Sequence, residues 1–208
     1  MNKLKNIIFD LGAVLINIDY KKTEQAFINL GFAHFSKMYN QYEANPIFEK
    51  LEMGLISTDD FYNTIINLSP RRITAAQIQN AWNKILLHWR IESLAFIQTL
   101  SPRYQIYLLS NTNAIHQAAF LQTLPLQTGI TNFNTLFTKA YYSHEVHLRK
   151  PNKNIFEYVL ADAHIIATET LFIDDSYNNI DTAKSMGFKT HLLLAEERVE
   201  NLEIFNNA

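Results

Sequence analysis

Short runs of consecutive apolar residues recur along the chain, at Ile7-Ile8-Phe9, within Gln105–Ser110, within Thr170–Asp174 and within Lys189–Leu194. Continuous rather than alternating hydrophobicity marks strands buried on both faces, as in a parallel sheet. Between them the period changes. Ile155/Val159 and Phe156/Leu160 repeat at i, i+4, and Ile180, Ala183 and Gly187 form a stripe that ends at a glycine suited to a helix C-cap. Strands alternating with helices predict an α/β fold built on a doubly wound parallel sheet.

The segment from Tyr20 to Arg90 reads differently, with helical periods and no convincing strand. Thr58 is placed to cap a helix carrying Phe61, Ile65 and Leu68. Thr74 and Gln77 make a capping box ahead of Ile78, Trp82, Ile85, Leu86 and Trp89, which fall on one helical face. An all-helical insert is therefore expected after the first strand, with a core formed by 1–17 and 91–208 and a cap formed by 18–90. The aromatic stripes of the insert read as packing between helices.

Composition narrows the function. With 208 residues, the chain can bury one substantial core and a smaller appended unit. The formal net charge is −2, and Lys and Arg form no run, so neither nucleic acid nor an anionic membrane surface is an expected partner. Cysteine is absent, which excludes disulfides, thiolate metal ligands and a cysteine nucleophile. The first apolar stretch is cut by Asp10, too early for a signal peptide or a membrane span. A cytoplasmic monomer acting on a small molecule is the expectation.

The chemistry gathers where the apolar runs end. Asp10-Leu11-Gly12-Ala13-Val14, Leu109-Ser110-Asn111-Thr112-Asn113 and Phe172-Ile173-Asp174-Asp175 would share the carboxyl edge of a parallel sheet, where open α/β folds bind ligands. Arg149-Lys150-Pro151 is placed to open a helix packed against that edge. One cleft would then hold three carboxylates, a hydroxyl, an amide and an ammonium.

The order and neighbours of these four stretches resemble the haloacid dehalogenase superfamily over nearly the whole chain. The closest likeness is to its bacterial branch of glucose-1-phosphate phosphatases, which shares the Phe-Asp-Leu-Gly start, the Leu-Ser-Asn-Thr-Asn turn, Arg-Lys-Pro and an Asp-Asp-x-x-x-Asn stretch, here Asp174 to Asn179. That family inserts a helical cap after the first strand, and Glu52-Met53-Gly54-Leu55-Ile56-Ser57 is similar to its Glu-x-Gly-x-Ile-Ser turn. The resemblance implies a phosphate monoesterase using Mg2+. Its chemistry is coherent, because a phosphate dianion repels a carboxylate nucleophile until a cation lies between them. By the same resemblance, Asp10 is the nucleophile that forms an aspartyl-phosphate. Asp10, the Gly12 carbonyl and Asp175 hold the metal, with Asp174 and Asn179 supporting it. Ser110, the Asn111 amide and Lys150 would hold the phosphate, and Lys150 would also stabilise the transition state.

One position departs from most phosphatases of the superfamily, which carry a general acid two residues after the nucleophile. Gly12 keeps a carbonyl but has no proton to give. Losing a positioned acid forfeits about 10²–10⁴ in rate. A leaving group that needs little protonation, such as the anomeric hydroxyl of a hexose 1-phosphate, would account for the glycine, as would another donor, with His144, Asp19 and a cap residue as candidates. A third explanation is lost catalysis, leaving a phosphate-ligand binder; the resembled branch also carries Gly here, which favours activity. A dehalogenase that attacks carbon without metal would leave the Asp174-Asp175 pair unused. Glu52, Arg71 and Arg72 are polar cap residues that could meet the substrate.

Overall fold

The computed structural model describes residues 3–40 and 45–205. The strands are β1 Asn6–Phe9, β2 Ile16–Ile18, β3 Leu86–Trp89, β4 Gln105–Ser110, β5 Lys139–Tyr142, β6 Thr170–Asp174 and β7 Lys189–Leu192. The helices are α1 Tyr20–Asn29, α2 Pro46–Glu52, α3 Thr58–Leu68, α4 Ala75–Asn83, α5 Ile91–Leu100, α6 Ala114–Thr128, α7 Ser143–Val146, α8 Lys153–Asp162 and α9 Tyr177–Ser185. Five strands form a sheet in the order β5-β4-β1-β6-β7, and every pairing in it is parallel.

The apolar runs divide between the two faces with a period of two. Ile7, Phe9, Ile106, Leu108, Leu171 and Ile173 join Leu94 and Ile97 of α5 and Phe120 and Leu124 of α6 in one core. Ile8, Tyr107, Leu109 and Phe172 face the other way, against Ile155, Phe156 and Val159 of α8 and Ile180 and Ala183 of α9. The doubly wound expectation holds because both faces must be covered. Each such side chain stabilises the fold by about 1.5–3 kcal/mol when fully buried, enough in sum to hold charged groups at the strand ends out of water. The register aligns Phe9 with Leu108 on one side and Ile173 on the other, so the residues that follow, Asp10, Leu109 and Asp174, emerge at one level.

Between β2 and β3 lie α1 to α4, packed around a core of their own. Trp82 is fully buried, and its ring lies against those of Phe27, Tyr39, Phe48 and Phe61. The aromatic stripes of this segment are packing, as their period predicts. Thr74 and Gln77 form the predicted capping box. The cap of α3 falls one residue earlier than expected, on Ser57, which makes its own box with Asp60.

Three elements differ from the sequence reading. The segment 20–90 is not all helical: α4 stops at Asn83, and Leu86–Trp89 form β3, antiparallel to β2. Tertiary burial overrides the helical period there. Trp89 turns into the main core against Phe120 and Phe133, its indole N–H donates to Thr123 Oγ1 at 3.3 Å, and its backbone N–H donates to Gln127 Oε1 at 3.0 Å. The two chain crossings are thus one cross-paired ribbon. Edge strand β5 carries an exposed Lys139 and only four residues, too little for a pattern. Lys150 does not open α8, which starts at Lys153.

Candidate active site

The ammonium of Lys150 lies at the centre of the carboxyl edge, 1 % exposed, and all three of its N–H bonds are spent on protein. It donates to Asp10 Oδ1 at 2.6 Å, to Asp174 Oδ2 at 2.7 Å and to the Leu109 carbonyl at 2.8 Å. The loop that carries it is pinned by Asn111, whose side-chain oxygen accepts the Lys150 N–H at 2.9 Å while its amide donates to the Lys150 carbonyl at 2.8 Å. A side chain next to a strand end thereby fixes the height of an ammonium from a different loop.

Asp174, fully buried, is held from three sides. Ser176 N–H donates to Oδ1 at 2.8 Å, and Asn179 Nδ2 donates to Oδ1 at 2.9 Å and Oδ2 at 3.1 Å, with Lys150 completing the set. These bonds fix the carboxylate rather than leave it to wander, which is how supporting groups orient a metal site.

Asp10, Asp174 and Asp175 bring carboxylate oxygens within 4.8 Å of one another. Burial pushes the Asp10 carboxyl up to about 6; Lys150 opposes this and Asp174 adds to it. Burial likewise lifts Asp175 to about 7, with Asp10 and Asp174 contributing. Burial would lower Lys150, but Asp10 and Asp174 outweigh it and its affinity for the proton rises. Three carboxylates less one ammonium leave a net charge of −2 when all are ionised. The donor atoms that the three carboxylates offer are hard oxygens. The charge and the donor chemistry both fit a small divalent cation.

A cavity of about 180 Å³ opens over this cluster, and among the residues lining it are Asp10, Gly12, Ser110, Asn111, Lys150 and Asp175. The structure therefore brings together the residues named for nucleophile, metal and phosphate, with Asp174 joined to them through the carboxylate cluster and Lys150. Gly12 lies at a close approach and not at a left-handed φ. A Cβ there would meet Ile18 Cδ1 at 3.2 Å, and the left-handed residue of this turn is Ala13, at φ +53°. Ile18 Cδ1, the end of a flexible side chain, would have to give by a few tenths of an ångström to admit a side chain at position 12.

The proposed substitutes for that acid lie elsewhere. Asp19 caps α1, accepting from Lys21 N–H at 2.9 Å, and His144 is held against Gln117 at 3.1 Å; neither lines the cavity. Of the three polar insert residues, Arg71 and Arg72 are exposed and only Glu52 reaches the cavity. Glu52 is buried, accepts from the Tyr39 hydroxyl at 3.2 Å and pairs with Arg149 NH2 at 3.0 Å. Arg149 NH1 also donates to Glu49 Oε1 at 2.8 Å, so α2 and the loop before α8 are tied by charge.

Tyr20, Tyr39, His116 and Arg149 line the same cavity and were not singled out from sequence. Arg149 was visible only as the neighbour of Lys150. The tyrosines were hidden among aromatics that also pack.

A parallel α/β sheet with an ammonium-bridged carboxylate cluster at its carboxyl edge defines a protein that handles an anionic group beside a divalent cation. The chain belongs to the haloacid dehalogenase-like hydrolase family, whose model matches residues 4–187. It is 35% identical over 191 residues to a D-ribitol-5-phosphate phosphatase of Bacteroides thetaiotaomicron, an alignment covering 90% of each chain. A haloacid dehalogenase family enzyme of the same organism, crystallised with magnesium and inorganic phosphate, superposes with a TM-score of 0.83 at 33% identity, covering 96% of this chain and 99% of that one. A hydrolase of this family from Porphyromonas gingivalis gives 0.86 at 30% identity, covering 99% and 97%. Among the described residues no helix is long and apolar enough to cross a membrane.

Proposed function

We propose that the chain is a magnesium-dependent phosphatase of a small sugar or polyol phosphate, working as a cytoplasmic monomer. The observation that carries this reading is Lys150 bridging Asp10 and Asp174, with Asp175 close by, in a buried cluster short of two positive charges. The phosphatase relative and the magnesium- and phosphate-bound neighbour support it.

Asp10, Asp175 and the Gly12 carbonyl would hold the ion, which would supply positive charge to offset the carboxylates and so let a phosphate approach them. Asp174 and Asn179 orient this set. Asp10 attacks phosphorus, its carboxylate oxygen forming the new bond as the P–O bond to the alcohol breaks and the departing oxygen takes a proton from water; a second water later cleaves the aspartyl-phosphate, releasing inorganic phosphate and Asp10. Ser110 and the Asn111 amide take phosphate oxygens. Lys150 supplies fixed positive charge beside the reacting oxygens, and it contacts phosphate directly by exchanging one of its three present bonds. The segment 18–90 acts as a cap over the core formed by 1–17 and 91–208, with the β2–β3 ribbon as the hinge and closure excluding water.

A dehalogenase reading leaves the carboxylate excess without a purpose. Two substrate classes follow from different arguments. The leaving-group argument for Gly12 points to hexose 1-phosphates, and the name of the relative points to acyclic polyol 5-phosphates.

The test is phosphate release from both classes, with and without magnesium, beside Asp10→Asn. Magnesium-dependent turnover abolished in the variant is expected. Turnover that survives removal of all divalent metal would overturn the mechanism. Binding of phosphate with magnesium but no turnover of any ester would make the protein a binder.

A further inference from the structure

We infer that the hydroxyl of Tyr20 hands a proton to the departing alcohol oxygen, taking up the role that Gly12 leaves unfilled. The inference rests on the phosphatase reading above and names the group that passes on the proton drawn from water.

Almost every titratable side chain that lines the cavity is already committed. Asp10 and Asp175 are assigned to phosphorus and the ion. All three N–H bonds of Lys150 are spent on Asp10, Asp174 and the Leu109 carbonyl. Tyr39 donates to Glu52, which also faces Arg149 at 3.0 Å. Both ring nitrogens of His116 are taken, by the Trp82 carbonyl and by Asn113, and a guanidinium does not release its proton. Tyr20 is the exception. Its ring lies 5.8 Å from that of Tyr39, its hydroxyl makes no hydrogen bond with any described residue, and that oxygen is not sealed from the cavity. A phenol with an unspent O–H is a proton donor.

Its place in the chain suits the task. Ile18, which stands against Gly12, and Tyr20, two residues further on, both line the cavity. Tyr20 opens α1 directly after Asp19, whose side chain caps that helix through Lys21 N–H at 2.9 Å, so the ring enters from a fixed point on the ribbon. Burial, and then the carboxylates of Glu52, Asp175, Asp10 and Asp174, keep the phenol protonated at neutral pH. An alkoxide leaving phosphorus is basic enough to take that proton as the P–O bond breaks.

The cycle balances. As Asp10 bonds to phosphorus and the bond to the alcohol breaks, the Tyr20 proton passes to the alcohol oxygen. The phenolate then takes a proton from water as that water's oxygen bonds to phosphorus and the bond to Asp10 breaks, which restores Tyr20. A leaving group of ordinary basicity is thereby provided for. The class served is the phosphate ester of an unactivated alcohol, such as a polyol, and not only the anomeric ester of a hexose.

The experiment measures kcat and KM with magnesium for a series of monoesters ordered by the acidity of the leaving group, from p-nitrophenyl phosphate to an acyclic polyol monophosphate, in wild-type protein and Tyr20→Phe. p-Nitrophenolate departs without a proton, so its ester is the internal control. Tyr20→Phe should lose about 10²-fold or more on the polyol ester, mostly in kcat, and less than about threefold on p-nitrophenyl phosphate. A merely structural role would lower both rates together. Equal losses on the two esters, or no loss on either, would overturn the inference while leaving the phosphatase standing. Wild-type protein supplies a second check that needs no variant: its kcat should depend only weakly on leaving-group acidity, and a steep fall toward the more basic alcohols would also overturn the inference. No turnover even of p-nitrophenyl phosphate by wild-type protein would overturn the phosphatase reading and this inference with it.

Discussion

Gly54 rests against the backbone carbonyl of His144, leaving no room for a side chain between them. The contact joins the turn after α2 to α7 of the core, and Gly54 also sits at φ +63°, where an L side chain is strained. Gly54→Ala should therefore lower stability by about 2 kcal/mol or more and push the turn off α7. Urea unfolding checks the first effect. The second should appear as a raised KM, since Glu52 lies two residues before the turn. A neutral Gly54→Ala would show that this contact is slack in solution.

Removing the ammonium at the centre of the site leaves Asp10 and Asp174 buried without their counter-charge. Lys150→Met should cost about 3–5 kcal/mol in metal-free protein at neutral pH, as for other broken buried pairs. Added magnesium should recover part of the loss. Thermal unfolding with and without the ion checks both, and equal stability of variant and wild type would mean that Lys150 offsets little of the local charge.

His116 links the insertion to the core by stacking on Trp82, and its two ring nitrogens are taken by the Trp82 carbonyl and Asn113, both at 3.1 Å. Burial lowers its pKa from 6.5 to about 4, so the folded ring stays neutral where the unfolded chain is already protonated. The stability this contributes is complete above pH 6.5 and is lost as pH falls toward 4. The whole effect is about 3 kcal/mol. Urea midpoints at pH 7 and pH 4.5 measure it. In His116→Gln the difference between the two pH values should shrink by about 2–3 kcal/mol.

Gly12 and Ile18 compete for one space. Gly12→Asp should crowd Ile18 Cδ1 and destabilise by about 1–3 kcal/mol. The double variant with Ile18→Val, which lacks that atom, should recover most of the loss. Equal stability of the single and double variants would place the steric limit elsewhere.

The catalytic edge was legible because fully buried strands write their ends plainly. Asp10, Ser110 and Asp174 each close an uninterrupted apolar run, and a parallel sheet leaves one edge for all three. Lys150 was legible through its neighbours, although its own position before α8 was misplaced by three residues. The ribbon was not legible. Ile85, Leu86 and Trp89 continue the period of α4, and only the pull of the main core on Trp89 decides for a strand. Glu52 was named among the polar cap residues and reaches the cavity, but its pairing with Arg149 was beyond reach for another reason. The two residues lie far apart in sequence, and nothing local in the chain announces their contact.

The ribbon that joins insertion to core closes with Asp19 N–H donating to the Ile85 carbonyl at 2.9 Å. The chain thus departs from the sheet and returns to it through a single doorway. Topologically, everything between these residues is an enlarged hairpin loop, and the five-stranded sheet is indifferent to its length. Such a doorway makes the insertion a cassette. One phosphate-handling engine can be fitted with different substrate-reading modules without any strand of the engine being rebuilt.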